Sequence, residues 1–289
     1  INAWAEERTS GRIKDLLAKG SLDKDTRLVL VNAIYFKGDW SVPFDATATR
    51  PEEFLAVGAR KVSVPMMHRN GLTGARYGAF NADGSPFATP QTVRASVDAK
   101  TLYPDAGGFL VAELPYKGDE LSMVVIAPQA ADGLKAVEER LNGETLANWL
   151  GTLESREVNV RLPKFKLEAS YPKMKDTLQA MGMVRAFTDP RDQEKGAQFD
   201  GMCATADPNM KLFITDVVHK AFVDVTERGT EAAAATAVMM AVPASAALEE
   251  PFTPTFRADR PFLFAIRDMK TGTILFLGRV ADPTASSGG

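Results

Sequence analysis

Few residues of this chain could do covalent or metal chemistry. It has two histidines, His68 and His219, and one cysteine, Cys203. A zinc site would have to draw on these three at unrelated spacings, so no metal is expected. A lone cysteine also excludes an internal disulfide. No Gly-x-Ser-x-Gly elbow, phosphate-cradling glycine loop or His-Glu-x-x-His motif occurs. Carboxylates are numerous but fall mostly on solvated helix faces. Neither an enzyme nor a cofactor is expected. The residues that stand out suit another kind of chemistry. Residues 227–243 read Glu-Arg-Gly-Thr-Glu-Ala-Ala-Ala-Ala-Thr-Ala-Val-Met-Met-Ala-Val-Pro, with no charge after Glu231. A run this small-sided can be exposed in one state and fit a crowded interior in another. That suits a conformational trap. Taken alone, the four alanines read more readily as helix or as a flexible linker, because alanine is the best helix former.

Composition sets wider bounds. A chain of 289 residues suits one large domain or two small ones. A net charge of -3 gives no basic footprint for nucleic acid or an anionic membrane. No apolar run approaches the roughly 20 residues needed to span a bilayer. Nucleic acid and membrane are therefore not expected partners.

The elements that must carry the run follow from periodicity. Ile1, Trp4, Ala5, Ile13, Leu16 and Leu17 recur near helical spacing and predict a helix over 1–17, stopped by Gly20. Residues 26–36, apolar from Leu28 onward apart from Asn32, predict a strand buried on both faces. Residues 61–67 predict a short strand. Residues 69–108 have no clear period and predict a long loop or inserted hairpin. Residues 109–114 and 121–127 predict paired strands across a Pro-Tyr-Lys-Gly-Asp turn. A helix is expected over 132–150, with Asp132 as its cap, and another over 173–183. Strands are expected over 157–162, 165–167 and 211–225, and a hairpin over 261–280. Helices and strands mix without βαβ alternation, so the class is α+β with large, mostly antiparallel sheets. Residues 286–289 read as a disordered tail.

Several segments resemble one family. Leu30-Val31-Asn32-Ala33-Ile34-Tyr35-Phe36-Lys37-Gly38-Asp39-Trp40 is similar to the serpin signature around the third strand of the main sheet. Val64-Pro65-Met66-Met67 and Val218-His219-Lys220-Ala221 are similar to further serpin segments. Glu227, Arg228, Gly229, Thr230 and Glu231, then Ala232, Ala233, Ala234, Ala235 and Thr236, resemble the hinge of inhibitory serpins. Arg260-Pro261-Phe262-Leu263-Phe264 and Phe276-Leu277-Gly278-Arg279-Val280 resemble the C-terminal signature. The chain is identified as a bacterial-type inhibitory member of this family. The resemblance spans residues 1–285 and implies the serpin fold. It equates the first helix with the sixth of the family, so about the first third of the fold is expected to be missing. The stretch 69–108 is longer than the family usually has between these strands.

The resemblance also implies a mechanism. A serine or cysteine endopeptidase cuts an exposed reactive-centre loop, here 227–256, and is held as an acyl-enzyme. The amino-side half of the loop then enters the main sheet as a new strand and traps the enzyme. Thr230, Ala232, Ala234, Thr236 and Val238 would face inward, and Glu231 outward. A charge at an inward position would have to be desolvated. Gly229 suits the pivot. Counting as in the family from Glu227 puts the reactive bond at Pro243-Ala244. Proline is poor there, so bonds near Ala241, Val242, Ala244 and Ser245 compete. All are small, and no Arg or Lys lies between Glu231 and Arg257, which implies an elastase-like or subtilisin-like target. Asn32 and His219 would pair by a hydrogen bond where the sheet parts. Trp40, Lys164 and Glu227 would sit where the loop first enters, with a Lys164–Glu227 ion pair. The expected molecule is an extracellular or periplasmic monomer able to form loop–sheet polymers. The alternatives are a non-inhibitory binding or chaperone-like serpin and an inactive fragment.

Overall fold

A computed structural model describes residues 1–24, 26–94, 96–171, 174–192, 194–205, 207–230 and 249–285. The hinge residues Glu231–Thr236, the candidate bond residues Ala241–Ser245 and the tail 286–289 lie outside the described residues.

The helices are α1 Asn2–Arg8, α2 Leu134–Arg140, α3 Gly143–Gly151 and α4 Met174–Ala180. The first strands are β1 Leu28–Tyr35, β2 Gly38–Asp39, β3 Arg50–Ala56, β4 Arg60–Leu72 and β5 Arg76–Phe80. Then come β6 Pro86–Phe87, β7 Thr92–Val93, β8 Phe109–Pro115, β9 Leu121–Pro128 and β10 Glu154–Ser155. After these follow β11 Val158–Pro163, β12 Phe165–Tyr171, β13 Ile214–Thr226 and β14 Gly229–Thr230. The last are β15 Glu250–Pro251, β16 Thr255–Arg257, β17 Phe262–Asp268 and β18 Ile274–Val280. The chain divides into two compact units, the first holding 1–36 and 166–223, the second 37–165 and 224–285.

In the first unit β1 pairs with β13 in parallel, from Leu28↔Ile214 to Tyr35↔Phe222. β12 pairs with β13. Val29, Val31, Ala33 and Tyr35 pack one face of β1 against Ala5, Ile13, Leu16, Leu17, Val218 and Phe222. The expected burial of β1 on both faces is not found. Leu30 on the other face is 41% exposed, and Asn32 is exposed too. The alternation is that of a strand packed on one side. The helix expected over 1–17 stops at Arg8. Ser10 and Gly11 take positive φ, and Thr9 Oγ1 accepts from Ile13 N at 3.0 Å, so a tight turn replaces the second half. The Asn2 amide then pins Leu17, donating to its carbonyl at 2.9 Å and accepting from its N–H at 2.8 Å.

The second unit holds a sheet in the order β10-β5-β8-β9-β17-β18, with β6 beside β5, and another in the order β16-β11-β4-β3. The core of the larger sheet joins Phe80, Phe109, Val124, Ile126 and Leu263 to Val137, Trp149 and Leu150. Its central strands β8 and β9, buried along nearly their whole length, hide a carboxylate. Glu113 is 1% exposed and accepts from Arg76, Arg267 and Ser122 at 2.7–2.8 Å. A charge so placed is tolerable only with such partners. The helix expected over 132–150 is two helices. Asn142 is extended, and its side chain accepts from Thr145 N at 2.9 Å, which starts α3 afresh.

Residues 69–108 differ from a plain loop. Residues 69–72 finish β4, which is 13 residues long, and β5 is a core strand paired with β8. β6 folds back on β5, and β7 pairs with β15. The loop range 227–256 likewise ends in strands β15 and β16.

Candidate functional site

The candidate site begins where β13 ends. After Thr226 the chain turns through Glu227 and Arg228, and β14 runs back antiparallel, pairing Val225↔Thr230 and Thr226↔Gly229. The other edge of β14 pairs with β2, as Gly229↔Asp39 and Thr230↔Gly38. The start of the expected hinge is therefore a two-residue strand held between β13 and β2. In the first unit, by contrast, β1 and β13 pair directly with nothing between them.

Gly229 is required at this place. Its φ is 150°, and a Cβ would stand 2.0 Å from Gly38 O and 2.6 Å from Asp39 Cα. Both are backbone atoms and cannot step aside.

Trp40 seals the turn. It is 3% exposed, stacks on Tyr116 with centroids 4.6 Å apart, and meets Phe44 edge-on at 6.1 Å. Its indole N–H donates to Thr226 O at 3.0 Å, and its backbone N–H to Arg228 O at 2.6 Å. Phe44 N donates to Glu227 O at 2.7 Å. The Glu227 carboxylate receives Lys164 Nζ at 2.9 Å and Thr49 Oγ1 at 2.9 Å. Burial pushes its pKa up. Lys164, the Glu227 backbone and Thr49 outweigh burial and hold the carboxyl below its ordinary value. Lys164 is itself fixed by its backbone N–H, which donates to Pro65 O at 2.9 Å.

The structure thus brings Trp40, Lys164 and Glu227 together. Thr49, Phe44, Tyr116 and Thr226 complete the site and were missed by sequence reasoning. Tyr116 carried a signal, as an aromatic residue inside a turn. Thr49 carried none, since it lies in a polar stretch.

Asn32 and His219 stand directly opposite each other in the first unit. The expected hydrogen bond between their side chains is not formed. The His219 ring instead stacks on Tyr171 of β12, with centroids 5.9 Å apart and planes at 22°. Burial holds the imidazole pKa below its ordinary value, which favours the neutral ring. Cys203 is half-buried, with its sulfur 3.9 Å from Met210 O.

The loop returns at Glu249. β15 pairs with β7, and Phe252 N donates to Gln91 O at 2.9 Å. The Phe252 ring lies between Tyr103, edge-on at 6.1 Å, and the Arg156 guanidinium at 5.9 Å. Arg156 Nη2 donates to Phe252 O at 2.7 Å and to Pro90 O at 3.0 Å. Thr255 N donates to the Tyr103 hydroxyl at 2.9 Å, and β16 then joins β11 in parallel.

One of the two longest strands, β13, thus leads through this turn to the small-residue run of the sequence. The family model for serpin (serine protease inhibitor) matches residues 1–283, and the chain belongs to this family. Human serpin B4 is 41% identical over 285 residues, covering 98% of this chain and 63% of the relative. Antithrombin-III of Mus musculus is 36% identical over 283 residues, covering 98% and 52%. The solved structure of native protease nexin-1 with heparin superposes with a TM-score of 0.73 at 29% identity, covering 98% of this chain and 65% of that one. The chain thus spans 52–63% of the length of these two curated relatives.

Proposed function

We propose that this chain carries the loop-insertion machinery of an inhibitor that traps an endopeptidase as a suicide substrate. The observation that supports the reading is the position of β14. Its two residues already lie between β13 and β2, and a longer inserted strand would continue between β13 and β1, which pair with each other here and would have to part. The residues that follow are small, so adding them meets little steric resistance. Ordering them costs roughly 1–2 kcal/mol per residue, which strand hydrogen bonds and burial must exceed. The target is an elastase-like or subtilisin-like protease, because residues 241–245 are small and uncharged.

The full chain is incubated with pancreatic elastase and with subtilisin. The expected result is an SDS-stable complex of chain and protease, with mass spectrometry placing the cut between Ala241 and Ser245. Cleavage by both enzymes without a stable complex overturns the trapping function. A complex formed with trypsin instead overturns the target class.

A further inference from the structure

The returning arm of the loop has only a short ladder to its sheet. β16 pairs with β11 from Asn159↔Thr255 to Arg161↔Arg257 and stands at the end of the strand order. Further fastening comes from residues 90–94 and Tyr103, which lie along the arm from Glu249 to Thr255. β7 pairs with β15 as Glu250↔Val93 and Pro251↔Thr92, in a two-stranded sheet of its own. Thr92 Oγ1 donates to the Glu249 carboxylate at 2.9 Å. Gln91 O accepts from Phe252 N, and Arg156 ties Pro90 O to Phe252 O. The Tyr103 hydroxyl accepts from Thr255 N. This segment has its own footing. β6 lies on β5 as Ala79↔Phe87 and Phe80↔Pro86, and Gln91 Nε2 donates to Glu154 at 2.9 Å.

The connection between the two arms gives this fastening a task. Thr255–Arg257 lie beside Asn159–Arg161, and Lys164 a few residues on holds Glu227, so both arms are anchored on residues 159–164. Residues 231–248 join them. If about fourteen of these entered the sheet uncut, at roughly 3.3 Å each they would carry the chain some 45 Å from Thr230. The roughly four left over would reach about 14 Å, too little to come back to Glu249. The uncut loop can therefore enter in full only if the returning arm comes away from β7 and β11. We propose that residues 90–94 and Tyr103 are a strap that holds the returning arm down, so that cutting of the loop, and not spontaneous entry, releases the departing arm. The strap rests on the trapping function proposed above and adds its safeguard.

The test follows the full chain held without protease and sampled over hours. Each sample is separated by size, and the intact monomer is given a pulse of elastase or subtilisin. Uncut entry of the loop is read as monomer that is no longer cut between Ala241 and Ser245. The unaltered chain is expected to stay cleavable. Tyr103→Phe leaves Thr255 N without its acceptor and should lose cleavability about tenfold faster. Thr92→Val frees Glu249 and is read if Tyr103→Phe does not fold. Mere unfolding would make the loop easier to cut, so it moves the readout the other way. Equal rates in a folded variant and the unaltered chain overturn the strap. An unaltered monomer that is uncut at the start, or stops being cut within hours, also overturns it, and decides alone if neither variant folds. Cutting that never yields an SDS-stable complex overturns the trapping function instead, and the rate of loss still reports on the strap.

Discussion

The departing arm of the loop, residues 227–230, and the returning arm, residues 249–257, are fastened by different means. The departing arm is held by backbone. β14 exchanges ladder hydrogen bonds with β13 on one side and β2 on the other, and Gly229 lies against Gly38 with no side chain between them. The returning arm also has ladder bonds, β15 with β7 and β16 with β11, but adds side-chain clamps to them. Phe252 is gripped by Tyr103 and Arg156, and Phe256 is fully buried in the next sheet. A backbone ladder takes any further residue that is small enough. A side-chain clamp fits one residue and fixes it. On the proposed function, one arm must lengthen as a strand while the other stays attached to its sheet. The two fastenings match those two duties.

The largest effect is expected at Gly229. Gly229→Ala would put a Cβ 2.0 Å from Gly38 O, and neither backbone can yield. Displacing β14 should cost on the order of 3 kcal/mol or more locally. Native-state hydrogen exchange should then show the Trp40 amide, which donates to Arg228 O, losing about a hundredfold in protection. The Phe252 amide on the returning arm should keep its protection. A protected Trp40 amide in the variant would show that the glycine is not what seats β14.

How much of this was legible in the sequence differs between the arms. The departing arm was largely readable, because a long β-branched strand, two glutamates, a glycine and an alanine run form one local pattern. Trp40 and Lys164 came from the family resemblance, since nothing local says which strands converge on Glu227. The returning arm was not readable. Its partners, Gln91, Tyr103 and Arg156, lie far from Phe252 in sequence. β5 escaped notice because Arg76 and Gly78 interrupt its apolar run. The structure explains both: Arg76 meets the buried Glu113, and a Cβ at Gly78 would stand 2.6 Å from Leu153 Cδ2. The strands β8, β9, β17 and β18 were legible because mostly apolar runs of strand length leave few alternatives, and β13 because its apolar residues are strongly patterned. The helices were overextended at 1–17 and 132–150. Periodicity does not register a turn held by Thr9 or Asn142.

A smaller effect is expected at the clamp. Phe252→Ala removes a half-buried ring from Tyr103 and Arg156, at about 1–2 kcal/mol. Exchange should quicken at the Phe252 position amide and in β7, with the Trp40 amide unchanged. Equal loosening of both arms would erase the distinction between them.

The smallest effect is a difference in acid. The folded Glu227 carboxyl has its pKa below the ordinary 4.5, so the unfolded state binds more protons in the window between the two values. Its contribution is therefore complete above about pH 4.5 and is lost as the pH falls through the folded value. The returning arm's clamp has no carboxylate acceptor in its hydrogen bonds, because Arg156 donates there to the carbonyls of Pro90 and Phe252. Two indole N–H groups report the contrast by NMR. That of Trp40 donates to Thr226 O beside Glu227, and that of Trp149 donates to Gly84 O at 3.2 Å, away from any titrating partner in that bond. Acidification below pH 4.5 should move the Trp40 signal and leave that of Trp149 in place. Glu227→Gln should remove the movement while the Phe252 amide stays protected throughout. If the Trp40 signal still moves in Glu227→Gln, the acid sensitivity belongs to another group, and the departing arm rests on its ladder alone.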